Sequence, residues 1–326
     1  MLRRKNAGYN NFTGAALQLF SQDDLQHIHL ATLEVLRYTG VQVNDKEALN
    51  YFAEAGAYVA KDTVKIPAHL VESAIASAPA SVFLAGKSPE YDIILEDGRV
   101  YVCPFGLGIF IHDLKTGKLR ETTKQDIADC SRLVDYLAEY DFLFDTMVAR
   151  DVPEATACLH GFEAHLTNSQ KPALASPENK QTAEALMQMG AAAAGGYHNL
   201  QERPLMMLGG CTISPLSIPD STVAATITAA KYNIPAMILT MAMSGGMAPV
   251  TLAGCLVVAN AEILAALTLS QIVRKGAPFI YGSSTGTLDM RHNAAAMVGC
   301  PELGLISAGI AAIARLYKLP TLVAGT

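Results

Sequence analysis

Short stretches of small, hydroxylated, glycine-rich residues close the apolar β segments of this chain. They are Ser176-Pro177-Glu178, Gly209-Gly210-Cys211-Thr212-Ile213-Ser214, Met241-Ala242-Met243-Ser244-Gly245-Gly246, Tyr281-Gly282-Ser283-Ser284-Thr285 and Ala324-Gly325-Thr326, with Arg150-Asp151 after an earlier segment. Such ends let a bulky ligand approach the backbone. They carry no obvious reactive group. His160 and His165 stand five apart, not at the i, i+4 spacing of a metal pair. Lys171, Lys231, Lys275 and Lys318 precede strands, which disfavours a Schiff base at a strand end. No Ser-His-Asp order and no strand with two carboxylates is found. The six cysteines include no CxxC pair; they read as free, buried thiols, and no metal site is expected.

The remaining candidates are aromatic and acidic. Tyr281 closes an apolar strand and reads either as a core residue with its hydroxyl bonded or as one wall of an aromatic cage for a methylated amine. Glu302 follows Gly299-Cys300-Pro301 at a helix start, where a carboxylate suits the helix dipole or faces the mouth of a site. Glu262 interrupts a long apolar helix, as a partnered structural carboxylate or as a buried acid that handles protons. Glu302 and Glu262 are the catalytic candidates. By position, Tyr281, Ser283, Ser284, Thr285, Ser244 and Asp145 are the substrate-binding candidates.

Two kinds of element must position these residues. Residues 1–120 read as an N-terminal α+β region: a helix capped by Ser21 and ended by Gly40, a helix over 46–55, a strand over 63–66, a helix over 67–76 with Pro67 at its first position, and hairpins over 81–113. From 121 to 326 helix and strand alternate. Strands are predicted over 142–149, 173–176, 205–210, 236–242, 279–283 and 321–324. Helices are predicted over 124–139, 154–168, 181–194, 221–232, 250–274 and 301–317. Regular βα repetition with apolar strands means a parallel sheet covered by helices. Gly106-Leu107-Gly108 lies among hairpins and opens no helix, so a Rossmann phosphate turn is excluded. The fold class is α/β, a (βα)8-type TIM barrel lacking its last two or so units, with the site at the C-terminal strand ends.

Composition narrows the function further. The 326 residues are 51% hydrophobic and 17% charged, with a net charge of −6, which disfavours nucleic acid and anionic membranes as partners. The basic start, Met1-Leu2-Arg3-Arg4-Lys5, is followed by polar residues and not by the apolar run of a signal peptide. The apolar window 252–272 contains Asn260, Glu262 and Gln271 and reads as a buried helix, not a membrane span. A cytoplasmic enzyme that self-associates is expected.

At the strand ends the chain resembles the trimethylamine methyltransferase family. The stretches that carry the likeness are Leu239-Thr240-Met241-Ala242-Met243-Ser244-Gly245-Gly246, Asn260-Ala261-Glu262, Tyr281-Gly282-Ser283-Ser284-Thr285, Pro301-Glu302-Leu303-Gly304-Leu305-Ile306-Ser307-Ala308 and Leu322-Val323-Ala324-Gly325-Thr326. Gly14-Ala15-Ala16-Leu17-Gln18-Leu19-Phe20 is similar too. The resemblance implies a TIM barrel that moves a methyl group from trimethylamine to the Co(I) corrinoid of a small partner protein, as in methanogenesis on methylamines. It implies no cofactor bound directly, the corrinoid being carried by the partner. It also implies pyrrolysine, encoded by an in-frame UAG codon, immediately after Thr326. The 326-residue product is then expected to be inactive. A demethylase of a quaternary amine such as glycine betaine is the alternative, as is an inert fragment that only binds a partner.

Overall fold

The computed structural model describes residues 19–325. The basic start, residues 14–18 of the resembling stretch, Thr326 and the position expected for pyrrolysine lie outside these. The chain divides into two compact units, one spanning residues 83–209 and the other uniting 12–82 with 210–326. The expected boundary at residue 120 falls inside the first.

Helix α1 (Gln22–Glu34) starts where sequence chemistry places it. The Ser21 Oγ accepts from the Asp24 N–H at 3.1 Å, and Asp24 Oδ2 accepts from the Ser21 N–H at 2.9 Å, closing a capping box. The helix loosens into a π-helical turn, Val35–Thr39, and stops at Gly40. Gly40 has φ 83°, and a Cβ there would meet the Val64 carbonyl oxygen at 2.4 Å. Only glycine fits both constraints. Strand β1 (Val41–Val43), helix α2 (Lys46–Glu54), strands β2 (Tyr58–Ala60) and β3 (Thr63–Lys65) and helix α3 (Ala68–Ser77) complete this segment. Pro67 is the N-cap of α3, one place ahead of its expected position.

In the unit 83–209 the expected hairpins are β4 (Val82–Leu84) with β5 (Ile93–Leu95) and β6 (Phe110–His112) with β7 (Leu119–Glu121). Helix α4 (Lys124–Tyr136) has a second capping box, Thr123 with Asp126. The strand expected over 142–149 does not form. Its backbone bonds are split between two partners. Leu143 bonds around β8 (Ala173–Ala175), through the Pro172 carbonyl and the Leu174 N–H, whereas Val148 and Arg150 donate to Gly108 and Thr122. A segment whose ladder changes partner midway keeps single bridges only, at Leu143–Ala173 and Gly108–Met147. Helices α5 (Ala157–Asn168), α6 (Lys180–Ala194) and the unanticipated α7 (Tyr197–Glu202) follow. Strand β9 (Met206–Cys211) pairs parallel with β8 and carries the chain across the division.

In the second unit, a short β10 (Ser217–Ile218) adds to β1 in parallel. Then come α8 (Asp220–Tyr232), β11 (Ala236–Thr240), β12 (Met243–Ser244), α9 (Leu252–Val273), β13 (Phe279–Ser283), β14 (Gly286–Asp289), β15 (Ala295–Ala296), α10 (Pro301–Leu316) and β16 (Thr321–Val323). The Thr212 N–H donates to the Leu239 carbonyl at 2.9 Å, so the chain leaving β9 lies beside β11. Next to β11 is β13, and next to that β16, all parallel. Every residue of β11 and β13 is buried, as befits parallel strands covered on both faces. Helix α9 is the one helix among the described residues long and apolar enough to cross a membrane, but 72% of its most apolar window is buried inside the protein. It touches α1, α2, α3, α8 and α10, which makes it a core helix. Strands β12, β14 and β15 form a small sheet of their own that the periodicity does not announce.

Gly282 reports how closely β11 and β13 approach. A Cβ there would lie 2.7 Å from the Ile238 carbonyl oxygen and from Leu239 Cδ2. Gly282→Ala is expected to cost about 1–3 kcal/mol, the usual price of overpacking. A chemical-denaturation midpoint identical to that of the unaltered protein would contradict this contact.

Candidate functional site

The strand ends of the second unit are organised by one side chain. Glu262 is fully buried on α9. Its Oε2 accepts from the hydroxyls of Thr212 at 2.5 Å, Thr240 at 2.6 Å and Ser214 at 3.0 Å. Its Oε1 accepts from the Leu216 N–H at 2.9 Å. Thr212, Ser214 and Leu216 belong to the loop after β9, and Thr240 ends β11. The carboxylate is thus partnered, and its partners are the strand ends themselves. Desolvation of the sulfur, and after it the negative charge of Glu262, pushes the thiols of Cys211 and Cys255 up to about 11. These are inert cysteines.

A second polar chain runs on another side of α9. Tyr281 has 0% of its surface exposed. Its hydroxyl donates to Asn260 Oδ1 at 2.9 Å, and Asn260 Nδ2 donates to Thr32 Oγ1 at 2.9 Å and to the Tyr317 oxygen at 2.8 Å. Tyr317 meets His29 Nδ1 at 2.9 Å. The Tyr317 oxygen accepts from Asn260, which leaves its proton free for a neutral His29 Nδ1. Burial raises the Tyr281 phenol well above its ordinary value, with Tyr317 and Glu262 adding to it. The ring therefore has no open face for a cation, and of the two readings of Tyr281 the bonded core residue describes its place.

The other expected residues are placed as follows. Ser283 accepts from the Thr285 N–H at 3.1 Å, and the Ser284 N–H donates to the Thr240 carbonyl at 2.9 Å. Thr285 is 1% exposed, and its Oγ1 has no hydrogen-bond partner among the described residues. Ser244 is buried and donates to the Val250 carbonyl at 2.9 Å, closing the loop after β12. Glu302 is exposed in the first turn of α10 and does not join the Glu262 cluster. Asp145 belongs to the other unit. Its carboxyl is bonded by the hydroxyl and N–H of Ser176, and burial pushes it up to about 6, with Glu178 adding to the rise. His165 Nε2 lies 3.8 Å from Asp145 Oδ1, and burial pushes that imidazole down to about 4.

Sequence reading places Asn260 in the apolar window and, with Thr240, in the family-like stretches, but offers neither as a site candidate, nor Tyr317, Thr32 or His29. One signal was available. Asn260 and Glu262 are the polar residues at the middle of an otherwise apolar helix, and each needs partners if that helix is buried.

Residues 4–326 match the family described as trimethylamine methyltransferase (MTTB). The trimethylamine methyltransferase MttB of Desulfitobacterium hafniense is 42% identical over 98% of this chain and 64% of its own length. The MttB1 of Methanosarcina mazei is 38% identical over 98% of this chain and 66% of its own. A glycine betaine methyltransferase of Desulfitobacterium hafniense is 29% identical over 93% and 63%. The chain thus spans about two thirds of the length of these curated relatives. Among solved structures, the monomethylamine methyltransferase (MtmB) of Methanosarcina barkeri is similar with a TM-score of 0.64 over 98% of this chain and 64% of that one, at 13% identity. That likeness shows the fold, the α/β TIM-barrel class expected from the βα repetition.

The His29 chain has a pH signature. Burial lowers the His29 pKa from 6.5, with the charge of Glu72 opposing. A depressed histidine stabilises the fold fully above 6.5 and loses that contribution as pH falls through its folded value. Stability is expected to fall further on acidification below 6.5 than it does in His29→Gln, which has no titrating ring and whose amide oxygen still accepts from Tyr317. Parallel stability–pH curves for the two proteins would contradict a depressed His29.

Proposed function

This chain belongs to the trimethylamine methyltransferase (MTTB) family, and on that premise we propose that the protein transfers a methyl group from trimethylamine to the Co(I) corrinoid of a partner protein. The observation that carries the reading is the 42% identity to a trimethylamine methyltransferase across 98% of the chain. In the reaction the methyl–nitrogen bond breaks, its electron pair stays on nitrogen, and the methyl goes to cobalt. Trimethylamine becomes a leaving group only when its nitrogen carries positive charge. The protein's task is to desolvate and orient that cation and to leave it open to a docking partner.

The residues present suit that task better than they suit acid–base or nucleophilic chemistry. The strand ends offer hydroxyls from Thr212, Ser214 and Thr240 around a buried carboxylate, and further hydroxyls from Ser283–Thr285 at the end of β13. Within this reading Ser283, Ser284 and Thr285 contact the amine, the unpartnered Thr285 hydroxyl foremost, and Ser244 shapes the adjoining loop. Exposed Glu302 faces the approaching partner. The cobalt centre arrives as a substrate on the partner. The glycine betaine methyltransferase relative supports a second reading, demethylation of a quaternary amine, at lower identity.

Anaerobic absorbance spectroscopy separates the two. The intact protein mixed with trimethylamine and a reduced corrinoid protein is expected to convert Co(I) to methyl-cobalt while releasing one dimethylamine per methyl. Methylation from glycine betaine and none from trimethylamine would transfer the assignment to the second reading.

A further inference from the structure

Charged groups are normally buried only with a counter-charge or a metal, because removal from water is costly. Glu262 breaks that pattern. It is fully buried, and all four of its hydrogen-bond partners, Thr212, Ser214, Thr240 and the Leu216 N–H, are neutral. No lysine, arginine or histidine is paired with it among the described residues. The charge is therefore satisfied by hydrogen bonds and left electrostatically uncancelled.

The donors are also oriented by it. A serine or threonine hydroxyl has one proton. Those of Thr212, Ser214 and Thr240 are directed to Glu262, so the three oxygens keep only acceptor capacity for anything else. Thr212, Ser214 and Thr240 are themselves buried, so the negative charge acts across a thin buried layer of hydroxyl oxygens at two neighbouring strand ends. The residues next in sequence reach solvent: Cys211 beside Thr212 is exposed, and Met241 beside Thr240 is 41% exposed.

We propose that Glu262 is the charge that makes this strand-end site select a methylated ammonium cation over a neutral molecule of the same shape, acting through the hydroxyls of Thr212, Ser214 and Thr240. The assignment rests on the methylamine reading above and gives Glu262 a positioning and selective role in place of proton transfer. Polarised N–CH3 hydrogens and an ammonium N–H both favour acceptor oxygens and a negative field. The carboxylate is held in place by four neutral donors, three on Oε2 and one on Oε1.

Isothermal titration of the intact protein with trimethylammonium chloride and with tert-butanol, its neutral shape analogue, tests this. The unaltered protein is expected to prefer the cation by roughly tenfold or more, as for a unit charge acting across a few ångströms of protein. High salt should erode that preference little, because a buried charge is weakly screened. Glu262→Gln should weaken trimethylammonium roughly tenfold while tert-butanol changes by less than about twofold, and Glu262→Asp should restore most of the preference. Equal losses for both ligands in Glu262→Gln, or no loss for either, would overturn the assignment and leave the methylamine reading standing. Equal affinity for cation and neutral analogue in the unaltered protein would overturn it without any variant, should Glu262→Gln not fold. Failure of the unaltered protein to bind trimethylammonium at all would instead overturn the methylamine reading and this assignment together.

Discussion

Helix α9 is the most apolar helix among the described residues and packs against five others, yet it carries a carboxylate and an amide two residues apart. Two residues on an α-helix are about 200° apart in angle, so Asn260 and Glu262 leave the helix on opposite sides. Each side chain can be buried only if the surrounding elements bring donors or acceptors to it. Asn260 requires Tyr281 of β13, Thr32 of α1 and Tyr317 after α10. Glu262 requires the end of β11 and the loop after β9. The two polar groups thus fix the rotation and depth of α9 against the strands, which apolar packing alone leaves loosely specified.

The same requirement shapes the strand ends. The loop 212–216 makes three of its hydrogen bonds to one carboxylate, so its path follows from where α9 places Glu262. Close approach of the strands adds the second constraint, visible at Gly282, where a methyl group would meet the neighbouring backbone. A site built this way is rigid and rich in acceptor oxygens, and its nucleophilic thiols are silenced. Those properties suit holding a cation for a nucleophile that comes from elsewhere, which is the logic of the methyl transfer proposed for the family's chain here.

Much of this was legible in order along the chain. The capping residue Ser21, the glycine stop at Gly40, and the apolar runs of β11 and β13 match the elements observed, because each is a local preference of backbone or burial. The segment 142–149 reads as a strand and is not one, because strand formation depends on a continuous partner and its partners change at residue 146. The sheet of β12, β14 and β15 is not announced by the sequence for the related reason that strands of two to four residues are too short for a measurable period.

The site divides along the same line. Residue types alone marked Glu262, Tyr281 and the hydroxyl-rich ends as the places where chemistry could occur, since a charge or a phenol in an apolar run must find a partner. They left open whether Tyr281 faces a ligand or the core, and which groups meet Glu262. Only the tertiary structure decided that Tyr281 is sealed against Asn260 and that Glu262 gathers Thr212, Ser214 and Thr240. Those partners lie 21 to 50 residues away in the chain. Burial demand is a property of one residue and is written in the sequence; its satisfaction is a property of which distant residues the fold brings within hydrogen-bonding distance.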